Sequence, residues 1–212
     1  LAPPNFDFTK IGYLVTVLPR AQRVINTDLA TEPHDFKTKN GIQSIKVIAE
    51  PSVLLRNNQP NWSLWIHELL HTVGIAGHAP GQGFPFNIMT NQNANSYSLS
   101  SWDQFILEWL PENQIYCLDK NDVNNQIVQL SPMEREDTSI KSVVIPLTDY
   151  SALVVEAHGE GKWTSKDDPN TRMQSRFYGI VVYKVDTRFG NERRFEVFYG
   201  NSVSNEIGRA HV

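Results

Sequence analysis

Alternating apolar and polar positions near the start of the chain predict two β-strands. Residues 11–18, IGYLVTVL, are β-branched and aromatic and stop at Pro19, which is typical of a strand. Residues 42–49, IQSIKVIA, alternate apolar and polar side chains, which predicts a strand with one solvated face. The intervening residues 20–41 are polar and rich in turn formers, so we expect a loop there.

A helix is predicted next, over residues 62–73. Asn61 is placed to cap its start, and Gly74 suits its C-terminal turn. Residues 74–98 follow with neither a helical nor a strand period, and they are rich in glycine, proline and amide side chains. A long irregular stretch of this kind inside a compact domain is more often functional than not.

A second helix is predicted to begin at Ser100 or Ser101 and to end at Pro111. Its apolar positions recur at helical spacing: Trp102, Phe105, Ile106 and Trp109. We expect the three aromatic side chains of this set to belong to the core rather than to a substrate pocket.

Five short β-rich runs occupy the rest of the chain: QIVQL, KSVVIPL, ALVVEAH, GIVVYKV and RRFEVFYG. They predict a mostly antiparallel β-rich lobe over residues 117–205. Together with the helix-bearing residues 1–116, this lobe makes an α+β protein of two parts.

Both ends of the chain are expected to be artificial. The first residue, Leu1, is not an initiator Met and no signal peptide follows it, so we expect the domain over residues 1–116 to be truncated at its N-terminus. Residues 206–212, EIGRAHV, correspond to one translated frame of a common sequencing adapter. We expect read-through there and leave these residues out of the fold assignment.

Composition and charge exclude several classes of protein. A chain of 212 residues can bury one core, or a core and a small second lobe. The net charge of −4 and the absence of a basic run give no support to nucleic-acid binding. No apolar run approaches the roughly 18–20 residues that a membrane span needs. The single cysteine, Cys117, excludes an internal disulfide.

The pentapeptide HELLH places His67, Glu68 and His71 on the first predicted helix. Side chains four residues apart on a helix project from one face, about 6 Å apart, which is close enough to bind one ion. Neutral imidazole is a preferred zinc ligand, and the glutamate can address a water on the metal without being a ligand itself. The alternative is a buried amphipathic helix whose two histidines hydrogen-bond within the core.

The third ligand is sought by elimination. Residues 72–102 contain no Asp, Glu or Cys, and their one histidine is His78. We therefore expect His78 to complete a zinc site. The competing design uses an acid from the second helix, either Glu108 or Asp103. The remaining alternative is that His78 is an ordinary surface histidine.

Several segments resemble a known family in order along the chain. HELLHTVG followed by a histidine, and then FNIMT, resembles the metzincins. HELLHTVGI, FNIM, LSSWDQFILEWL, ALVVEA and GIVVYKVDT more closely resemble the immune inhibitor A family of secreted bacterial metallopeptidases, over most of residues 8–187.

The resemblance implies a metzincin-like catalytic domain and a zinc endopeptidase. It implies that His67 and His71 bind the metal, that Glu68 is the general base, and that Met89 in a Met-turn forms a hydrophobic floor under the ion. The family places its next metal-site residue where this chain has Gly77, so His78 stands one position late.

Weaker candidates complete the set of site residues. Tyr97 could donate a hydrogen bond to a developing oxyanion, or it is a packing or surface tyrosine. His158 at a strand end and His34 in a loop are expected to have non-catalytic roles.

The expected function is zinc-dependent hydrolysis of peptide bonds outside the cell, with proteins or peptides as substrates. Two other functions stay open: a non-catalytic zinc-stabilised binding protein with a closed site that recruits Asp103 or Cys117, and a zinc amidase acting on cell-wall peptide. The sequence does not reveal calcium sites or an oligomeric state.

Overall fold

Two β-sheets and two α-helices form most of the regular structure of the described residues, so the protein is mixed α+β, with mostly sheets and few helices. The structure is a computed structural model. It describes residues 6–18, 29–30, 33–51, 61–75, 77–78, 86–90, 96–122, 126–164, 179–189 and 195–198. Within these ranges, no helix has both the length and the apolar character that a membrane crossing requires.

The chain divides into two compact units, residues 1–76 and residues 77–212. The first unit holds one sheet and the first helix, and the second unit holds the other sheet and the second helix. Residues 77–116, which the sequence grouped with the helix-bearing domain, therefore lie in the unit that contains the second sheet. The predicted domain boundary at residue 116 stays a prediction.

The first sheet is organised around one long strand. Its strands are β1 (Tyr13–Leu18), β2 (Leu29–Ala30), β3 (His34–Thr38) and β4 (Gly41–Pro51). β1 runs parallel to β4, with Tyr13 opposite Lys46. β2 and β3 pair antiparallel with β4. Two of these strands, β1 and β4, confirm the predicted strands, and β4 extends beyond both ends of its predicted range.

The expected loop over residues 20–41 is wrong in part, because β2 and β3 lie within it. β3 has the polar sequence HDFKT, which carries little strand propensity, and it is held by its ladder to the first half of β4. Thr38 and Gly41 close this hairpin: the Thr38 hydroxyl donates to the Gly41 carbonyl at 2.8 Å, and Gly41 has φ +98°. Residues 19–28 and 31–32 lie outside the described residues.

The first helix, α1, spans Asn61–Thr72 and confirms the predicted helix. Asn61, expected as its cap, is the first helical residue. Gly74 follows the helix with φ +116°, a backbone conformation that favours glycine, and the Ile75 N–H returns to the Leu70 carbonyl at 3.1 Å. The helix therefore ends in the turn that the sequence predicts at Gly74.

The second sheet has five strands in the order of the chain: β5 (Ile115–Cys117), β6 (Ser142–Thr148), β7 (Ser151–His158), β8 (Gly179–Asp186) and β9 (Phe195–Phe198). β5 runs parallel to β6, and the three remaining pairs are antiparallel. The mostly antiparallel β region is therefore confirmed, and four of its five predicted runs form β6 to β9. The prediction is wrong for QIVQL, residues 126–130, which forms no strand, and β5 lies outside the predicted runs. Two apolar clusters pack on this sheet, one around Val154 and Tyr183 and the other around Val143 and Ile145.

The second helix, α2, spans Ser101–Ile106 and is shorter than predicted. Ser100 caps its start through a hydrogen bond from the Asp103 N–H to the Ser100 hydroxyl, 3.1 Å. The helix stops early because Glu108 adopts φ +57°, and the N–H of Trp109 then donates to the Gln104 carbonyl at 2.8 Å.

The exposure of two aromatic residues corrects the expectation that Trp102, Phe105 and Trp109 are core. Trp102 is half-buried and packs against the apolar cluster around Val154. Phe105 and Trp109 are 43% and 57% exposed. An uninterrupted helix would place all three on one stripe, but the left-handed turn at Glu108 breaks the period before Trp109.

Replacing Glu108 by Gly is expected to raise the free energy of unfolding by about 0.5–1 kcal/mol, because glycine adopts a left-handed backbone without a Cβ clash. The control is Glu108→Ala, which keeps a Cβ and should not gain stability. Urea unfolding of the two variants measures the difference, and equal stabilities would contradict the explanation.

Candidate metal centre

His67 and His71 meet on one face of α1 because four residues make slightly more than one helical turn. Their Nε2 atoms are 3.2 Å apart, and the ring centroids are 4.8 Å apart with the planes at 86°. His67 is buried and His71 is half-buried. The two ring nitrogens therefore face one point at the side of the helix.

A hydrogen bond at the helix end sets the tautomer of His71. Its Nδ1 lies 2.8 Å from the carbonyl oxygen of Ile75, an atom that only accepts, so Nδ1 carries the proton. With the proton on Nδ1, a neutral His71 ring presents the lone pair of Nε2 towards His67. A backbone carbonyl on the far nitrogen is a common arrangement for a histidine that binds metal.

The separation of the two Nε2 atoms fits a tetrahedral zinc ion. Two nitrogens, each about 2.0–2.1 Å from such an ion, lie about 3.3 Å apart. The 3.2 Å between His67 and His71 is close to that value. The pair therefore has a spacing and a ligand type that suit zinc, and the same distance also fits a hydrogen bond between the two rings.

His78 belongs to the same group. The ligand atoms of His67, His71 and His78 all lie within 4.8 Å of one another, and these three residues could hold a metal ion. His78 is half-buried, in the irregular stretch that follows α1. The structure therefore brings together the three histidines that the sequence predicts as metal ligands.

The two acids that the sequence kept as alternative ligands lie elsewhere. Asp103 is 3% exposed, and its Oδ2 accepts hydrogen bonds from Asn87 Nδ2 at 3.1 Å and from the Ser100 hydroxyl at 2.8 Å. Glu108 is exposed at the turn after α2. Among the described residues, neither acid is in the histidine group.

Glu68 follows His67 on α1 and is only 4% exposed. A side chain one residue further along a helix points about 100° away, so Glu68 and His67 leave the helix in different directions. Glu68 is not in the group of ligand atoms. Its burial and position suit a group that acts near a metal without binding it.

The end of α1 is fixed from the neighbouring sheet. The Lys46 ammonium on β4 donates to the Thr72 carbonyl, one of the last carbonyls of the helix. A cation at a helix C-terminus also interacts favourably with the helix dipole. Lys46 and the turn at Gly74 together hold the chain that supplies the Ile75 carbonyl to His71.

Two further sequence candidates lie in the second unit. Met89 is fully buried, and its N–H donates to the Asn87 side-chain oxygen at 2.8 Å. Tyr97 is half-buried, and its N–H donates to the Trp163 carbonyl at 2.9 Å. Cys117, considered for a closed site, is exposed on β5.

Sequence reasoning missed one buried cluster, formed by Glu134, Glu156 and His158. The sequence pattern does indicate two members of this cluster. Glu156 and His158 are two apart on β7 and share a face with buried Val154. Polar residues on an apolar strand face require partners. Glu134 carries no comparable signal, because it lies in an irregular segment.

Comparisons of the chain with protein-family models, with curated proteins and with solved structures give no match. The functional argument therefore depends on the residues of the site.

Replacing His78 by Ala is expected to lower zinc affinity by more than about 100-fold, since loss of a ligand exceeds the 10–100-fold effect of losing a supporting contact. Competition with a coloured chelator measures it. The matched control is His34→Ala, at an exposed position on β3. Unchanged affinity in His78→Ala, with a loss in Glu108→Gln or Asp103→Asn, would assign the third ligand to an acid.

Replacing Gly74 by Ala is expected to weaken zinc binding about 10-fold, because the strained turn would displace the Ile75 carbonyl from His71. A Cβ at Gly74 meets nothing within 4 Å, so the effect comes from the backbone at φ +116°. Gly12→Ala is the control, because its Cβ also meets nothing and its φ is ordinary. Equal zinc affinities in the two variants would exclude this role of the turn.

Proposed function

We propose that this chain is a zinc-dependent endopeptidase. The observation that carries the proposal is the arrangement of His67 and His71, whose Nε2 atoms are 3.2 Å apart, with His78 in the same group. Three neutral imidazoles with an open fourth position are a ligand set of catalytic zinc, whereas structural zinc has four protein ligands.

The reaction needs an activated water and a group that moves its proton. When bound by the three histidines, zinc supplies Lewis-acid activation of the water and of the scissile carbonyl. The Glu68 carboxylate accepts the proton of the attacking water and then delivers it to the departing amine. Its burial keeps the carboxylate out of bulk water, which strengthens its electrostatic interactions with a substrate.

The family resemblance supports the same function. HELLH followed by FNIM and the later segments resemble the immune inhibitor A metallopeptidases. On this proposal the fold around α1 is a metzincin-like catalytic domain within residues 1–116, and residues 117–205 form its β-rich lobe. Met89 would lie under the ion, Tyr97 is a weaker candidate for an oxyanion donor, and the protein would be secreted.

The histidine group also favours hydrolysis over a binding role. A structural zinc site needs a fourth ligand such as Cys117 or Asp103. Cys117 is exposed on β5, and Asp103 is bonded to Asn87 and Ser100. A closed site also needs no general base, whereas Glu68 lies next to His67 on α1 and is buried.

Replacing Glu68 by Gln is expected to reduce peptide cleavage by about 10²–10⁴-fold while zinc affinity stays unchanged, because the amide cannot accept the proton. The zinc-loaded wild type and the variant are incubated with a proteome-derived peptide library, and new termini are counted by mass spectrometry. The control is Glu136→Gln, at an exposed carboxylate paired with Lys162.

Two outcomes would contradict the endopeptidase. If the zinc-loaded wild type cleaves no library peptide, or if Glu68→Gln cleaves as fast as wild type, the proposal is wrong. Release of fragments from cell-wall peptide alone, dependent on Glu68, would instead identify an amidase.

A further inference from the structure

A histidine lies between two carboxylates inside the second unit. The His158 Nδ1 is 2.7 Å from Glu134 Oε1, and its Nε2 is 2.9 Å from Glu156 Oε1. All three side chains are completely buried. We call Glu134, His158 and Glu156 the buried triad.

The geometry of the triad suits an imidazolium. Each ring nitrogen faces a carboxyl oxygen, and when both carboxylates are ionised, both nitrogens must carry protons for the two hydrogen bonds to form. A ring with two N–H groups has no lone pair for a metal. The outer carboxylate oxygens are also bonded: Gly159 N–H donates to Glu134 Oε2 at 3.0 Å, and Ser101 N–H donates to Glu156 Oε2 at 2.7 Å.

Next to the triad lies a buried turn formed by residues 86–90. The five residues are between 0% and 4% exposed. Within the described part of the chain, none of the five belongs to a strand or a helix. Two of its backbone N–H groups bond to nearby carbonyls: the Ile88 N–H donates to the Ser98 carbonyl at 3.0 Å, and the Thr90 N–H to the Asn87 carbonyl at 2.9 Å.

One connection from the triad reaches the start of this turn directly. The Phe86 ring is stacked on the His158 ring, with centroids 4.3 Å apart and planes at 19°. A cationic ring against an aromatic face gains electrostatic energy in addition to packing. The charge on His158 therefore strengthens the contact that holds Phe86.

A second connection passes through α2. Glu156 Oε2 binds the first N–H of the helix at Ser101 and the Tyr183 hydroxyl at 3.0 Å. Two residues into the helix, Asp103 accepts from Asn87 Nδ2 at 3.1 Å. Asn87 in turn accepts from the Met89 N–H at 2.8 Å. The position of Met89 thus depends on the triad by two routes.

We propose that His158 is a positioning residue, whose charged ring between Glu134 and Glu156 fixes the turn at residues 86–90 and with it Met89. The effect on the turn is independent of any activity. Its consequence for hydrolysis rests on the proposed function, in which Met89 lies under the zinc.

Because the proposed role of His158 requires a charged ring, the stability of the turn should depend on pH. Burial opposes the imidazolium, but the carboxylates of Glu134 and Glu156 outweigh it and raise the pKa of His158 to about 9. Burial also opposes ionised Glu134, and His158 outweighs it, so the pKa of Glu134 is lowered. Burial, with Glu156, raises the pKa of Tyr183 well above its ordinary range, so its hydroxyl stays a donor.

The directions of these pKa shifts determine how the contribution of each group to stability changes with pH. The folded pKa of His158 lies above the ordinary value of 6.5, so its contribution is complete below pH 6.5 and is lost as the pH rises through about 9. Glu134 contributes above its ordinary value of 4.5, and that contribution is lost as the pH falls through its lower folded pKa. Both contributions are complete between pH 4.5 and pH 6.5, where the turn at residues 86–90 is held most firmly.

Amide hydrogen exchange tests the proposal without a substrate. Protection factors, corrected for intrinsic rates, are measured for the amides of Ile88, Met89 and Thr90 from pH 6 to pH 10. In the wild type we expect these protection factors to fall about 10-fold or more between pH 6.5 and pH 9.5, because the His158 imidazolium loses a proton. In His158→Gln they should be low and flat across this window, whereas His34→Gln should match the wild type.

The Leu118 amide is the internal reference, because it bonds to the Val144 carbonyl at 3.0 Å beside the other apolar cluster. The proposal is overturned if Leu118 loses as much protection as the turn, if the wild type shows no pH step, or if His158→Gln keeps wild-type protection. Should His158→Gln fail to fold, the wild-type pH profile decides alone. Protection that follows the prediction in a protein without peptidase activity would support the positioning role and refute the proposed function.

Discussion

Desolvation of charge is the constraint on which the second unit depends. An imidazolium and two carboxylates taken out of water each lose several kcal/mol of hydration, and only mutual contact and further donors offset that loss. The triad meets this requirement with Gly159, Ser101 and Tyr183 as outer donors. Because those donors come from α2, from β8 and from the end of β7, satisfying the charges also fixes these elements against one another.

The chain thus contains two histidine clusters with opposite chemistry. At His158 both ring nitrogens face carboxylates, so both must donate and the ring is a cation. At His71 one nitrogen donates to a carbonyl and the other faces the Nε2 of His67, an arrangement that a neutral ring with a lone pair to share can adopt. The first arrangement is suited to an ion pair and the second to a metal. The difference comes from the partner of each nitrogen, not from the residue type.

Local patterns in the sequence predicted the elements that local interactions determine. α1 could be predicted because Gly74, the signal for its end, lies directly after it in the sequence, and β1, β4 and β6 to β9 because their side chains favour strands. β3 could not, because its polar sequence becomes a strand only by pairing with β4. The end of α2 was missed since Glu108 takes a conformation that is usual for glycine and uncommon for glutamate.

The same distinction between local and tertiary interactions decides which functional residues the sequence could predict. Its histidines at i and i+4 are a property of one helix, and the sequence predicts their meeting from spacing alone. The buried triad is a property of the tertiary structure, since Glu134 and His158 come from segments that no short-range pattern connects. Glu156 and His158 show the partial signal of polar residues on an apolar strand face, which indicates that a partner exists without identifying it.

His78 stands one position later than the resembled motif predicts, and the end of α1 explains why it can still approach the other two histidines. Within a helix, a shift of one residue turns a side chain by about 100°, and a ligand one position late would point away from the metal. α1 ends at Thr72, and Gly74 at φ +116° sends the chain out of the helical phase before His78 is reached. Beyond that turn, the backbone path determines which side chain approaches His67 and His71, and the residue count from the motif does not. The ligand atoms of the three histidines come within 4.8 Å of one another although the sequence resemblance alone would place the third metal-site residue at Gly77.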